Sequence, residues 1–76
     1  MRPKLPVVSG KELIRVLEKL GYQAVRQKGS HVRLYHSTDT EKSPLTVPLH
    51  DELAKGTLKQ VMRDADLTVE RLIELL

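Results

Sequence analysis

The 76-residue sequence contains no cysteine, which excludes disulfides, zinc ribbons and thiol nucleophiles together. It also has no apolar run near the roughly 18 residues that a membrane-spanning helix needs, so we expect no membrane partner. The basic start at residues 1–4 leads into no long apolar segment, which argues against a signal peptide. These absences favour a cytoplasmic protein in a reducing compartment.

Motifs for cofactors and metals are also lacking. The four glycines are scattered rather than grouped in a phosphate-binding loop, and a chain this short has little room for a large cofactor crevice. No carboxylate cluster falls on the predicted sheet, which disfavours a two-metal nuclease. The three histidines do not have the spacing of a metal site. We therefore predict neither a metal nor an organic cofactor.

Charge is distributed unevenly along the chain. Residues 1–36 carry eight basic and two acidic side chains, whereas residues 37–76 carry five basic and eight acidic ones. A basic half in a small protein indicates a polyanionic partner, for which nucleic acid is the first candidate. Solvated helix and strand faces are the alternative explanation.

The N-terminal half predicts an arm, a helix and a hairpin. Residues 1–8 contain two prolines and form an extended arm, and residues 9–12 (SGKE) form a capping box that begins the helix. Gly21 ends this helix, because glycine adopts the left-handed C-cap conformation easily. Residues 22–27 and 31–36 are predicted strands joined by a short glycine-containing turn. The apolar stripe of the helix comprises Leu13, Ile14, Leu17 and Leu20.

The C-terminal half predicts a third strand and two helices. Alternating apolar residues over 45–49 indicate the strand, which Pro48 confines to a sheet edge or ends. Residues 57–60 (TLKQ) are predicted to be a second capping box, and Thr68 is predicted to cap a short last helix. The apolar positions are Leu58, Val61, Met62 and Ala65 in the first helix and Val69, Leu72, Ile73 and Leu76 in the second.

These elements predict one two-layer α+β domain spanning residues 1–76, in the order α-β-β-β-α with a short extra C-terminal helix. Its three-stranded antiparallel sheet has helices on one face, and the other face is open to solvent or a ligand. Alternation along residues 31–36 places Val32 and Leu34 on the covered face. The same alternation places His31, Arg33 and Tyr35 on the open face.

Residues 27–33 (QKGSHVR) are the segment best suited to chemistry. Histidine exchanges protons near neutral pH, and a tight turn at Gly29 lets a phosphate approach the backbone. Lys28 and Arg33 can neutralise charge on phosphate oxygens, and a base beside cations is what cleavage of RNA by its own 2′-hydroxyl requires. The alternative is that His31 is an ordinary exposed strand residue and Lys28 an ordinary turn lysine.

Other residues give weaker indications. Tyr35 is placed either to stack on a base or to cover the sheet edge. Lys55, Lys59 and Arg63 form a basic stripe that can follow a phosphate backbone or be the solvated face of a helix. His50 is a second candidate for proton transfer, although a local capping or loop contact is the simpler explanation.

The chain resembles the HicA (YcfA-like) family of bacterial toxins over essentially its whole length. The most specific feature is the order and spacing of G-S-H at residues 29–31, V-P-x-H at residues 47–50 and G-T-L at residues 56–58. Residues 8–12, 19–22 and 65–68 also match. The resemblance implies a fold like the double-stranded RNA-binding domain and an endoribonuclease, or mRNA interferase, that acts independently of the ribosome.

The resemblance also implies roles for particular residues and a protein partner. His31 would be the catalytic residue, presented by the turn at Gly29, and a HicB antitoxin would cover the active face. One departure is Asp66, which stands where the family usually has glycine after the penultimate helix. The residues predicted to bind the single-stranded mRNA substrate are Lys28, Gly29, Ser30, Arg33, Tyr35 and Lys55.

Two other functions remain compatible with the sequence. One is an RNA-binding module of the same fold without turnover, whose RNA affinity would survive loss of His31. The other is a protein-binding domain whose basic face docks an acidic partner, with no RNA binding at moderate salt.

Overall fold

The structure, a computed structural model, describes residues 3–76. Three strands, adjacent in the sheet in the same order as in the chain, pair antiparallel with their neighbours, and this confirms the predicted α+β fold. No helix within residues 3–76 has the length and apolar character to cross a membrane. In chain order the elements are α1 (Gly10–Lys19), β1 (Tyr22–Lys28), β2 (His31–His36), β3 (Leu45–Pro48), α2 (Lys55–Asp64) and α3 (Val69–Leu75).

Helix α1 begins and ends as the sequence predicts. The Glu12 N–H donates to the Ser9 hydroxyl at 3.1 Å, and the Ser9 N–H donates to the Glu12 carboxylate at 2.9 Å. This reciprocal pair is the capping box. Gly21 follows the helix with a φ of +100°, a conformation that glycine adopts without a steric penalty.

The core lies between the helices and the covered face of the sheet. Alternation along β2 buries Val32 and Leu34 there, as predicted. The N-terminal arm joins this core, since Val8 is buried and its carbonyl accepts from the Leu53 N–H at 2.9 Å. Met1 and Arg2 of the predicted arm lie outside the described residues. The fully buried side chains are Val8, Leu13, Val16, Leu17, Leu34, Leu45, Val47, Leu58 and Leu72.

The predicted capping box at residues 57–60 is wrong. Helix α2 begins at Lys55, and its N-cap, three residues before Thr57, is Ala54, which makes no side-chain hydrogen bond. With Thr57 as the N-cap, Leu58 would be the first helical residue and its N–H would have no partner within the helix. Instead, the Leu58 N–H donates to the Ala54 carbonyl at 2.9 Å. The Gln60 side chain donates to Asp64 one turn later. The Thr-x-x-Gln spacing is therefore a coincidence within the helix.

Helix α3 confirms its predicted cap but only half of its predicted apolar stripe. The Arg71 N–H donates to the Thr68 hydroxyl at 3.1 Å, and Leu72 is fully buried. Ile73 and Leu76 are 43% and 50% exposed, so these two apolar side chains face solvent. Leu75 packs on the core instead, because this short helix lies at the margin of the domain and presents only one narrow side to it.

The end of α2 explains the unusual aspartate at position 66. The Leu67 N–H donates to the Met62 carbonyl at 2.8 Å and the Asp66 N–H to the Arg63 carbonyl at 3.2 Å. This is a Schellman motif, in which the residue at Asp66 has positive φ, here 59°. Glycine fits that conformation best, so Asp66 carries a backbone cost.

We expect Asp66→Gly to raise the free energy of unfolding by about 0.5–1 kcal/mol, because it removes this left-handed strain. The check is urea unfolding followed by circular dichroism. The matched control is Asp64→Gly two residues earlier, which places glycine in the last turn of α2 and should destabilise the protein by about 1 kcal/mol. Equal destabilisation by both changes would contradict this account of position 66.

Candidate active site

A β-bulge in β1 decides which of its side chains face the open side of the sheet. At one end of the hairpin Tyr22 pairs with His36, and at the other Lys28 pairs with His31. The register shifts next to Val25, so β1 contains one residue more than the stretch of β2 that it pairs with.

The bulge reverses the inside–outside alternation halfway along β1. Tyr22 is buried on the covered face, and in an unbulged strand Arg26 and Lys28 would share that face. With the bulge, Arg26 pairs with Arg33 and Lys28 with His31, and all four lie on the open face. Two cations are thereby added to the face that carries the histidine.

The turn between β1 and β2 holds His31 at the start of its strand. Gly29 is the first of two turn residues and has a φ of +58°, which is the arrangement of a type II′ hairpin. Its carbonyl accepts from the Gln27 side chain at 3.1 Å, and the Ser30 carbonyl accepts from the Leu49 N–H at 2.6 Å. These bonds fix the turn to β1 and to the residue that follows β3.

A shallow cleft of about 340 Å³ lies on the open face beside this turn. Three of its lining side chains are cationic and none is acidic, so the cleft suits an anion. The ring of His31 is exposed and forms no side-chain hydrogen bond within residues 3–76, which leaves both nitrogens free for a ligand. The cleft, hereafter the cationic cleft, is lined by Arg26, Lys28, His31, Arg33, Tyr35 and Thr46.

Arg33 is held at the centre of the cationic cleft by its neighbours on either side. Its Nη1 donates to the Thr46 hydroxyl of β3 at 2.7 Å. Its guanidinium carbon lies 5.9 Å from the ring centroid of Tyr35, within reach of a cation–π interaction. The two contacts limit the freedom of the side chain and leave its other N–H groups available to a phosphate.

The structure brings together some of the predicted site residues and separates others. His31, Lys28, Arg33 and Tyr35 line the cationic cleft, and Gly29 and Ser30 form the turn beside it. Lys55 lies at the start of α2 and does not line the cleft. An RNA contact by Lys55 would therefore have to lie beyond this cleft.

The other two histidines have structural contacts. His36 lies on the covered face, where its Nδ1 accepts the Asp39 N–H at 2.9 Å and its Nε2 lies 3.2 Å from the Leu20 carbonyl. Because Nδ1 is an acceptor, the proton is on Nε2, which donates to that carbonyl. His50 accepts the Gly10 N–H through its main-chain carbonyl at 2.9 Å and does not line the cationic cleft.

Sequence reasoning missed Arg26 and Thr46. Alternation along residues 45–49 already places Thr46 on the open face, but its contact with Arg33 depends on the strand register. Arg26 had no usable signal, because the bulge that turns it outward lies in an ordinary sequence without glycine.

Tyr22 is the other tyrosine of the chain, and it belongs to the core rather than to the site. It packs edge-on against the His36 ring, with 5.0 Å between centroids. Burial raises the pKa of its hydroxyl above the ordinary value, and the negative charges of Asp39, Asp64 and Asp66 add to the increase. The hydroxyl therefore stays neutral.

The fold and the cleft define a small α+β protein with a cationic cleft around an exposed histidine. The family described as the HicA toxin of bacterial toxin–antitoxin systems matches residues 10–67 of the chain. The protein belongs to this toxin family, as its motifs indicate, and membership implies an antitoxin as partner. Comparison with curated proteins gives no significant match.

Proposed function

We propose that this toxin is an endoribonuclease that cleaves single-stranded mRNA in the cationic cleft, with His31 as its catalytic residue. The observation that carries the proposal is the position of His31 among Arg26, Lys28 and Arg33 on an accessible sheet face. Membership of a toxin family adds support, because destruction of mRNA accounts for toxicity.

The proposed reaction is attack of the RNA 2′-hydroxyl on the adjacent phosphorus. His31 takes the 2′ proton as general base, or supplies a proton to the leaving 5′-oxygen as general acid, and water completes the other transfer. The new bond joins the 2′-oxygen to phosphorus, and the bond from phosphorus to the 5′-oxygen breaks. The products are a 2′,3′-cyclic phosphate and a 5′-hydroxyl.

The cations supply the electrostatic part of the mechanism. Negative charge grows on the non-bridging phosphate oxygens as the transition state forms, and Lys28 and Arg33 are placed to stabilise it. The donor set is unsuited to a divalent cation, since the lining combines three cations and one histidine with two neutral hydroxyl side chains and has no carboxylate. We therefore propose a metal-independent reaction.

The proposed protein partner is a HicB-like antitoxin that covers the open face of the sheet. The cationic cleft makes an acidic or phosphate-mimicking segment the natural occupant from a protein. Binding there would exclude RNA from His31 directly.

The test is incubation of purified toxin with a labelled single-stranded RNA in EDTA and without ribosomes. We expect cleavage and a 2′,3′-cyclic phosphate on the upstream product, identified by mass spectrometry. A 3′-hydroxyl with a 5′-phosphate would instead require attack by water. RNA binding without cleavage would replace the proposal with a non-catalytic binding module.

Arg26 gives a prediction specific to the folded structure. Because it lines the cationic cleft, we expect Arg26→Gln to weaken RNA binding about tenfold, the loss of one charge-assisted contact. Fluorescence anisotropy across a salt series should also show a slope lower by about 0.7, the value for one phosphate of a single strand. The control Lys59→Gln makes the same charge change on exposed α2, away from the cleft, and should have little effect. Equal losses would mean that net charge, rather than the cleft, governs binding.

A further inference from the structure

We propose that a second groove, between β3 and α2, binds one base of the RNA and selects bases that carry an exocyclic amino group. This inference rests on the proposed function, and it adds a determinant of substrate preference to it. The groove, hereafter the base groove, has a volume of about 450 Å³.

The base groove is a continuation of the cationic cleft. Arg33 and Thr46 line both depressions, on either side of their 2.7 Å hydrogen bond. Arg33 on β2 pairs with Thr46 on β3, and neighbouring strands lie about 4.8 Å apart. The base groove therefore begins one strand away from the β2 residues that line the cationic cleft. An RNA with its phosphate at Arg33 can therefore place an adjacent base across β3.

The lining of the base groove suits a base better than a phosphate. Leu45 and Val61 provide an apolar floor, being only 2% and 5% exposed, and a few polar groups stand around it. The charged side chain on the α2 side is Asp64, whose carboxylate repels phosphate. The charge of the lining therefore changes sign from the cationic cleft to the base groove. The cations of the cleft suit the RNA phosphates, whereas Asp64 in the groove suits a base.

Gln60 and Asp64 give the groove a defined hydrogen-bonding pattern. The Gln60 Nε2 donates to both carboxylate oxygens of Asp64, at 3.1 and 3.3 Å. This contact fixes the amide, so that its Oε1 is directed away from the carboxylate as an acceptor. Asp64 is itself an acceptor. Together they present acceptors to the groove.

Acceptors of this kind distinguish bases by their exocyclic groups. Cytosine carries a 4-amino donor and adenine a 6-amino donor, whereas uracil carries a carbonyl acceptor at the equivalent position. Uracil in the groove would place oxygen against oxygen. The pair cytosine and uracil is therefore the sharpest probe, since the two bases have nearly the same shape.

The test compares binding of labelled, non-cleavable 2′-O-methyl octanucleotides of cytidine and of uridine by fluorescence anisotropy. We expect the wild-type protein to bind the cytidine octamer about tenfold more tightly. Gln60→Leu, which keeps the shape of the side chain but removes one of the two acceptors, should lower this ratio severalfold without weakening uridine binding, while Asp64 retains part of the preference. Lys59→Gln, on the adjacent exposed position, should keep the wild-type ratio. Circular dichroism checks that each variant is folded.

Other results would overturn the inference in distinguishable ways. Equal affinity of the wild-type protein for both octamers, or a cytidine preference that Gln60→Leu leaves undiminished, would overturn the base groove while leaving the cationic cleft and its proposed cleavage of RNA intact. If the preference survives and Gln60→Leu instead weakens binding of the antitoxin, the groove belongs to a protein contact. If the wild-type protein neither binds nor cleaves RNA at low salt, the proposed function fails together with the inference.

Discussion

Replacement of His31 by alanine is expected to lower the rate of RNA cleavage by about 10²–10⁴-fold, the usual contribution of one positioned acid or base. His31 is exposed at the open face and is not part of the core, so its loss should leave the core unchanged. RNA binding should persist, because Arg26, Lys28 and Arg33 remain in the cationic cleft. The variant should therefore separate catalysis from binding.

His50→Ala is the matched control for this prediction. It removes the same side chain from another exposed position, outside the cationic cleft, and keeps the main-chain carbonyl that accepts from Gly10. Single-turnover cleavage and binding should be measured for both variants, together with growth after induced expression at equal protein abundance. Cleavage by His31→Ala at the wild-type rate would remove His31 from the mechanism. Growth arrest by both wild type and His31→Ala would indicate sequestration of RNA or of a protein.

The sequence was sufficient to predict the open face of β2 because its alternation is regular. Val32 and Leu34 are buried, so His31, Arg33 and Tyr35 must face the other way. The same reasoning failed for β1, where the bulge beside Val25 inverts the alternation. A bulge depends on the register between two strands, so it could not be predicted from the residue pattern of β1 alone. Arg26 was accordingly found only in the structure.

The helix ends were likewise predictable where a local side-chain contact fixes them and not where packing between distant residues does. The caps at Ser9 and Thr68 were predictable because a side chain bonds to an amide three residues away. The start of α2 was not, since its N-cap Ala54 makes no side-chain bond and follows the buried Leu53. What fixes that end is tertiary packing rather than a local signal.

The V-P-x-H motif at residues 47–50 acquires a physical explanation from the structure. The Leu49 N–H holds the Ser30 carbonyl in the hairpin turn, and the His50 carbonyl receives the first N–H of α1. The motif thus ties the turn that presents His31 to the start of a helix. His50, a candidate for proton transfer in the sequence, contributes to the fold through its main-chain carbonyl.

Gly10→Ala is expected to be the most destabilising single-methyl change considered, because α1 contacts β3 at this glycine. A Cβ there would lie against the Pro48 carbonyl oxygen and the Leu49 Cα, both of them backbone atoms that cannot turn aside. The helix would have to move away, weakening the Gly10 N–H bond to His50. Overpacking of this kind costs about 3 kcal/mol, a large share of the stability of so small a protein.

The measurement is thermal unfolding followed by circular dichroism, in which Gly10→Ala should lower Tm by about 12–24 °C. The control is Gly56→Ala in α2, where an added Cβ meets no atom of residues 3–76 within 4 Å. There alanine should be neutral or should stabilise the protein by up to about 0.5 kcal/mol, because it favours the helix. An unchanged Tm for Gly10→Ala would show that α1 and β3 are not in close contact. Since Leu49, directly after β3, also holds the hairpin turn, the destabilised variant should lose RNA cleavage at temperatures where the wild type is still folded.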